Sequence, residues 1–494
     1  MFKRFAMLAL AALAVLSIVW ESCRSVVSVA LADEPPPAQK EVGEAKADPA
    51  PTVWTTAVPP KALSDHVAKG LAWLVEHQHP NGGWSQGEEA ATMHPGGGKQ
   101  FTDTPNVADT CIAALALLRA GHTPESGTYK EAVARAVKYV RSQVDASAPD
   151  SLDVSNVKGT RVQMKLGPNI DTFLASLFLA EVKGRMRDEQ ANREVNQSLD
   201  KVLAKIKKHQ KADGTWDNAT GWAPILAQSV GGKGLNRAAQ AGANVPAEVL
   251  AKTESFAVAQ SNAASAKPAT AAAPPVETVA LLESAPGETA GTRTAGRAKV
   301  SGMSRAGGMG MAGMMGGGRG FAMDGAAGVE LYARASNLST LQDSVNTNEA
   351  AEAKFRMMYD TAKNDKDRSF AKRGLDRVEN TRKAHQESQK ALLGRLDDAG
   401  FVAGFGSNGG EEFLSYMNIS ESLVLKGGHD WKRWDDAMAS NLDRIQNQDG
   451  SWSGHHCITG KTFCTSTALL VLMADRTPVP VKAKPAAEAK ESVH

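Results

Sequence analysis

The sequence predicts an all-α fold of paired helices in two concentric layers, interrupted by a low-complexity insertion. Three observations carry this. A signature of Gln, three residues, Gly, one residue and Trp occurs three times: Gln78 with Gly82 and Trp84, Gln210 with Gly214 and Trp216, Gln446 with Gly450 and Trp452. One-sided apolar helices precede the copies, and helices apolar on nearly every side alternate with them. A recurring unit of this kind cannot bury its apolar face alone, so the repeat decides the architecture before any single residue does.

The elements follow in order along the 494 residues. Lys3 and Arg4 precede an apolar run from Phe5 to Trp20, and Ala30-Leu31-Ala32 offers a small-residue cleavage site. Residues 1–32 therefore read as a signal peptide, and the protein as exported to the periplasm or cell envelope. Glu21 and Arg24 make the boundary untidy, so an uncleaved segment is the alternative, and membrane contact is expected only through it. Residues 33–61, rich in Pro, Ala and charge, read as a disordered linker.

A first helical block covers 62–256. Leu63, Val67, Leu71 and Leu74 share one face before the first signature, and Cys111 to Leu118 forms a buried helix after it. Tyr129, Val133, Val137 and Val140 mark the next one-sided helix, and Phe173 to Ala180 the next buried one. Val195, Leu199, Val202 and Ile206 lead into the second signature. Residues 257–327 turn to Ala and Pro, then to Gly and Met, and read as a flexible insertion. Its Met303, Met309, Met311, Met314, Met315 and Met323 are soft ligands, but Met alone does not define a copper site.

The second block covers 328–475. Its charged segment 350–396 reads as a long surface helix or helical hairpin. Trp431, Trp434, Met438, Leu442 and Ile445 precede the third signature, and the apolar Cys464 to Met473 follows it. Residues 476–494 read as a disordered tail. The turn pairs Asn81-Gly82, Asp213-Gly214 and Asp449-Gly450 suit left-handed glycine. The Gln and Trp residues read as staples between neighbouring hairpins.

These residues resemble the repeat of the terpenoid cyclase and protein prenyltransferase superfamily, the squalene–hopene cyclase and prenyltransferase beta-subunit type. Gln446-Asn447-Gln448-Asp449-Gly450-Ser451-Trp452, with Thr467-Ala468-Leu469-Leu470 after it, is the nearest stretch. The resemblance implies an α/α toroid with a central cavity. Its chemistry does not follow so readily. Cyclases use Asp-x-Asp-Asp, whereas Asp397-Asp398 and Asp435-Asp436 have Arg395 and Arg433 at the upstream position. Only 5% of residues are aromatic, too few for a cation-stabilising cavity.

Prenyltransferase beta subunits hold zinc with an Asp-x-Cys pair and a distant His. By that resemblance Asp109 and Cys111, with His455 or His456, are the zinc candidates. The competing reading makes Asp109-Thr110 and Asp171-Thr172 helix N-caps. Cys457 and Cys464 are close enough for a disulfide that an oxidising compartment permits and spacing alone leaves open. Glu411 and Glu412 suggest an acid/base pair for glycan cleavage, or first-turn carboxylates complementing a helix dipole.

Net charge is +2 and charged residues are 22%, so nucleic acid is not an expected partner. The leading expectation is a non-catalytic toroid that binds a small molecule or protein in the cell envelope, with no catalytic residue assigned. Isoprenoid or lipid chemistry in the cavity is the enzyme alternative, and glycan cleavage is a third.

Overall fold

The computed structural model describes residues 54–89, 101–217, 221–265, 327–405 and 408–480. The expected signal peptide, most of the linker, most of the insertion with its methionines, and residues 481–494 lie outside the described residues. In chain order the elements are β1 (Trp54–Thr56), α1 (Asp65–Glu76), α2 (Val107–Arg119), α3 (Lys130–Ala146), α4 (Arg161–Leu166), α5 (Ile170–Val182), α6 (Glu189–His209) and α7 (Pro224–Gln240). Then come α8 (Ala247–Ser265), α9 (Ala327–Thr361), α10 (Asp365–Leu393), α11 (Ala399–Val402), α12 (Gly410–Lys426), α13 (Gly428–Ile445), α14 (Lys461–Leu472) and β2 (Pro478–Pro480). The fold is all-α, and none of the described helices is long and apolar enough to cross a membrane.

Two kinds of helix alternate. Every residue of α2 and of α5 is buried: their middles are apolar on nearly every side, and the buried polar Asp109, Arg119, Asp171 and Glu181 stand near their ends. By contrast α1, α3, α6 and α13 bury one stripe and keep a wet face. The buried helices pack in cyclic order: α2 on α5, α5 on α7, α7 on α9, α9 on α12, α12 on α14, and α14 back on α2. Outside them α3 packs on α2, α6 on α5, α8 and α10 on α9, α13 on α12, and α1 on α14.

The three signatures make the same joint three times. Each Trp donates its indole N–H to a carbonyl in the last turns of the preceding helix: Trp84 to Leu74 (2.7 Å), Trp216 to Ile206 (2.9 Å), Trp452 to Leu442 (2.8 Å). Each Gln amide reaches the next outer helix, donating to the carbonyls of Ala132 (2.9 Å), Val249 (3.1 Å) and His66 (2.9 Å). Each signature Gly abuts the residue three positions further along that same helix. A Cβ there would stand 2.4 Å from the Arg135 carbonyl oxygen at Gly82, 2.2 Å from that of Lys252 at Gly214, and 2.9 Å from that of Lys69 at Gly450. All three glycines also hold positive φ. The third joint ties α13 to α1, the last outer helix to the first.

Several boundaries differ from expectation. Leu63 lies outside α1 and is exposed, because Ser64 caps the helix. Residues 54–56 belong to no linker and 478–480 to no tail: Trp54 pairs with Pro480 and Thr56 with Pro478 in an antiparallel ribbon. Pairing between residues more than 420 positions apart leaves no mark in local composition. The first block runs past 256, since α8 continues to Ser265 and buries Ala257 and Ser261.

The segment 350–396 is a hairpin, but its first helix starts at Ala327 as inner wall. Ser336, Ser339 and Thr340 there dilute the apolar signal, and Thr340 returns its proton to the Ser336 carbonyl one turn back (3.0 Å). Glycine hides α7 in the same way. Gly234 permits an approach in which a Cβ would stand 2.0 Å from the Ser176 hydroxyl.

The centre of the cycle is filled. Ile112, Leu115, Leu174, Val230, Met417 and Leu470 leave a cavity of ≈ 10 Å³, room for about one water. Arg119, Lys233 and Glu421 line the same cavity and belong to a buried charge network. Arg119 donates to Glu421 (2.6 Å) and Thr477 (2.7 Å), and Lys233 donates to Glu421 (2.9 Å) and pairs with Asp343 (3.2 Å). Burial opposes the charge on Glu421, but Lys233 and Arg119 together outweigh it and hold the carboxyl well below its usual range. The ribbon covers this end: Arg237 donates to the Pro478 carbonyl and stacks 5.2 Å from the Trp54 ring centroid.

Candidate functional site

The opposite end gathers the first turns of the inner helices. There α2 and α5 start side by side, because Asp171 accepts from the Ala108 N–H (3.0 Å) and from the Gln163 amide (2.7 Å). The N-cap reading of the two Asp-Thr pairs is thereby corrected. Asn106 caps α2, accepting from the Asp109 N–H (3.0 Å), and Asp171 caps its neighbour rather than its own helix. Thr110 serves the first signature instead, accepting from the Trp84 N–H (2.9 Å), as Thr465 does for Trp452 (2.9 Å).

Burial sets the charge states. Asp109 is pushed up to about 7, first by burial and then by the charges of Asp171 and Glu89, against a hydrogen bond from Asn106. Asp171 rises to about 6 by burial, which its hydrogen bonds from Gln163 and Ala108 only partly offset. Glu411 rises to about 8, by burial first and the neighbouring Glu412 second.

Glu411 and Glu412 stand in the first turn of α12, as the dipole reading expected, and both are fully buried. Glu411 accepts from the Ile458 N–H (3.1 Å), and its other oxygen has no hydrogen-bond partner. Glu412 turns away, as helical neighbours about 100° apart must. It accepts from the Tyr332 hydroxyl (2.5 Å) and lies 3.3 Å from His456 Nε2.

An aromatic row leads outward from these acids. Phe405 lies 5.6 Å from Tyr332 and 6.3 Å from His456, and Trp222 lies 6.2 Å beyond it, measured between ring centroids. Trp222 is 45% exposed, and the Lys165 ammonium stands 5.9 Å from its ring centroid. Arg161 fixes the adjoining loop with a bidentate pair to Glu89, both contacts 2.9 Å. Trp222 and Phe405 lie in loops outside any repeat, so periodicity offers no signal for them. Tyr332 sits in the hydroxyl-diluted part of α9.

The zinc candidates lie in different surroundings. Asp109 accepts from the Asn106 amide (2.7 Å), Cys111 is buried facing the charge of Asp171, and His456 faces Glu412. The His455 N–H donates to the Asn408 carbonyl (2.7 Å). Among the described residues no group of three or more His, Cys, Asp and Glu side chains converges as a metal set. The Cys457–Cys464 disulfide does not form. Both are free thiols, and Cys464 donates instead to the Ile458 carbonyl (3.4 Å). Cys457 holds φ at 55°, a left-handed conformation unusual for a side-chain-bearing residue, beside Glu411.

Chemically, the site offers a stacking row over two buried acids, Glu411 and a Glu412 shared by a phenol and an imidazole. Both acids are covered, so a ligand resting on this end meets Trp222, Phe405, Lys165 and His456 first. The chain matches no family model, no curated protein and no solved structure.

Proposed function

We propose that the chain is an exported α/α toroid of the squalene cyclase and prenyltransferase repeat type, and that it works as a non-catalytic binding scaffold of the cell envelope. The ligand or partner rests on the end where the inner helices begin, against Trp222 and Phe405. The observation that carries this reading is the filled centre. Isoprenoid chemistry needs a cavity of several hundred Å³, and the pocket between Ile112, Leu115, Leu174, Val230, Met417 and Leu470 measures ≈ 10 Å³. The cyclic packing of inner helices and the three equivalent signature joints support the toroid.

The test is a binding and turnover panel on the purified protein, with squalene, farnesyl diphosphate and neutral and acidic oligosaccharides. Binding without turnover, weakened at least about tenfold by Trp222→Ala, is the expected outcome, since stacked aromatics dominate such contacts. One observation favours a second reading, glycan cleavage: Glu411 is a neutral acid at pH 7 beneath an aromatic row. Turnover of an oligosaccharide that Glu411→Gln abolishes in a folded protein would replace the scaffold. About one zinc per chain, lost in both Asp109→Ala and Cys111→Ala, would instead restore the prenyltransferase reading.

A further inference from the structure

The α9–α10 hairpin is longer than anything beside it. At 1.5 Å per residue, its 35-residue and 29-residue helices far outrun the 13 residues of α2 or α5. Glu254 of α8 anchors it at one level, accepting from Asn348 (3.0 Å) and from Thr381. Beyond that level the hairpin stands clear: of the side chains described from Glu349 to Arg377, only Ala371 is buried.

Two kinds of residue meet on this free end. Met357 is 62% exposed, Phe370 50% and Tyr359 37%, three of the seven exposed large hydrophobics among the described residues. Phe355 packs edge-on against Phe370 (6.1 Å), so the two helices share an apolar tip. Around it residues 354–373 hold seven Lys and Arg (Lys354, Arg356, Lys363, Lys366, Arg368, Lys372, Arg373) against Asp360, Asp365 and Asp367. This net +4 exceeds the +2 of the whole chain. Two of the acids stand in the first turn of α10, where they complement the helix dipole, and Asp367 is also bonded to the capping Asn364 (2.8 Å).

We infer that this tip docks on an anionic membrane surface. A convex, protruding end with bulky apolar side chains ringed by cations matches a deformable apolar layer under negative headgroups, and the Lys and Arg supply the attraction. A protein partner would have to supply a cleft that fits over both helix ends. A duplex would gain nothing from Met357 and Phe370.

Hydrogen exchange read by mass spectrometry on the full chain tests this, because it localises contact whatever the N-terminal segment does. With vesicles of phosphatidylcholine and phosphatidylglycerol (3:1), amides of 354–373 are expected to slow at least about fivefold, and the effect to fade with salt. Phosphatidylcholine alone should leave them unchanged. Lys363→Glu, Lys366→Glu and Lys372→Glu combined should abolish the protection, and Met357→Ser with Phe370→Ser should weaken it, with the helical circular dichroism retained. Unprotected tip amides in the wild type, or protection that survives the triple reversal, would overturn the inference. Protection by polyglutamate or by duplex DNA equal to that by the vesicles would overturn it too.

Discussion

Glu411 is the residue whose chemistry departs furthest from its type. With a folded pKa of about 8 against 4.5 in a free side chain, the folded protein holds a proton that the unfolded chain has released. Stability therefore falls as pH rises from about 4.5 to about 8 and is flat above that window. Asp109 at about 7 and Asp171 at about 6 act in the same direction. The melting temperature of the wild type should drop between pH 5 and pH 8, and Glu411→Gln should shallow that drop. Equal slopes for the two proteins would refute the assignment. At the other end, Lys233→Met leaves Asp343 without the cation it pairs with and Glu421 with Arg119 alone. Breaking a buried pair in this way costs roughly 3–5 kcal/mol, readable as a lower urea midpoint. Lys207→Ala, whose exposed partner Glu248 lies 3.9 Å away, should change stability by under about 0.5 kcal/mol.

At the scale of elements, the joints between hairpins are rigid where glycine meets backbone. Gly214→Ala forces a left-handed φ and pushes a methyl to 2.2 Å from the Lys252 carbonyl oxygen of α8, whereas Gly121 has the same strain with open space around it. Gly214→Ala should lose at least about 1 kcal/mol more than Gly121→Ala in chemical denaturation. These joints were legible in the sequence because Gln, Gly and Trp recur at one spacing. So were α2, α5 and α14, whose apolar runs admit no wet face. Helices α7, α12 and the inner half of α9 were not, since glycine, serine and threonine let helices approach closely without raising hydropathy. The acids at the inner helix starts were visible as residues, but their environment was not. Whether Glu411 meets water or Ile458 depends on a loop 47 positions away.

For the whole molecule, the last segment is what completes the packing. Helix α14 lies between α12 and α2, and β2 covers Arg119 and Arg237 together with β1. Removing residues 461–480 should expose the apolar faces of α2 and α12. The product should bind a hydrophobic dye and melt without a sharp transition. A truncated chain that melts as sharply as the wild type would contradict this.

The bonds at the closing seam also bear on how the protein is made. Gln446 reaches His66 across 380 positions, and Asp475 accepts from the Lys61 N–H across 414. Contacts this distant along the chain are late events, since loop closure comes before any gain from them. A chain emerging N-terminus first from a ribosome keeps the α14-facing side of α2 uncovered until residues 461–472 arrive. Its period of greatest exposure to proteases and to self-association therefore lasts until the synthesis of α14.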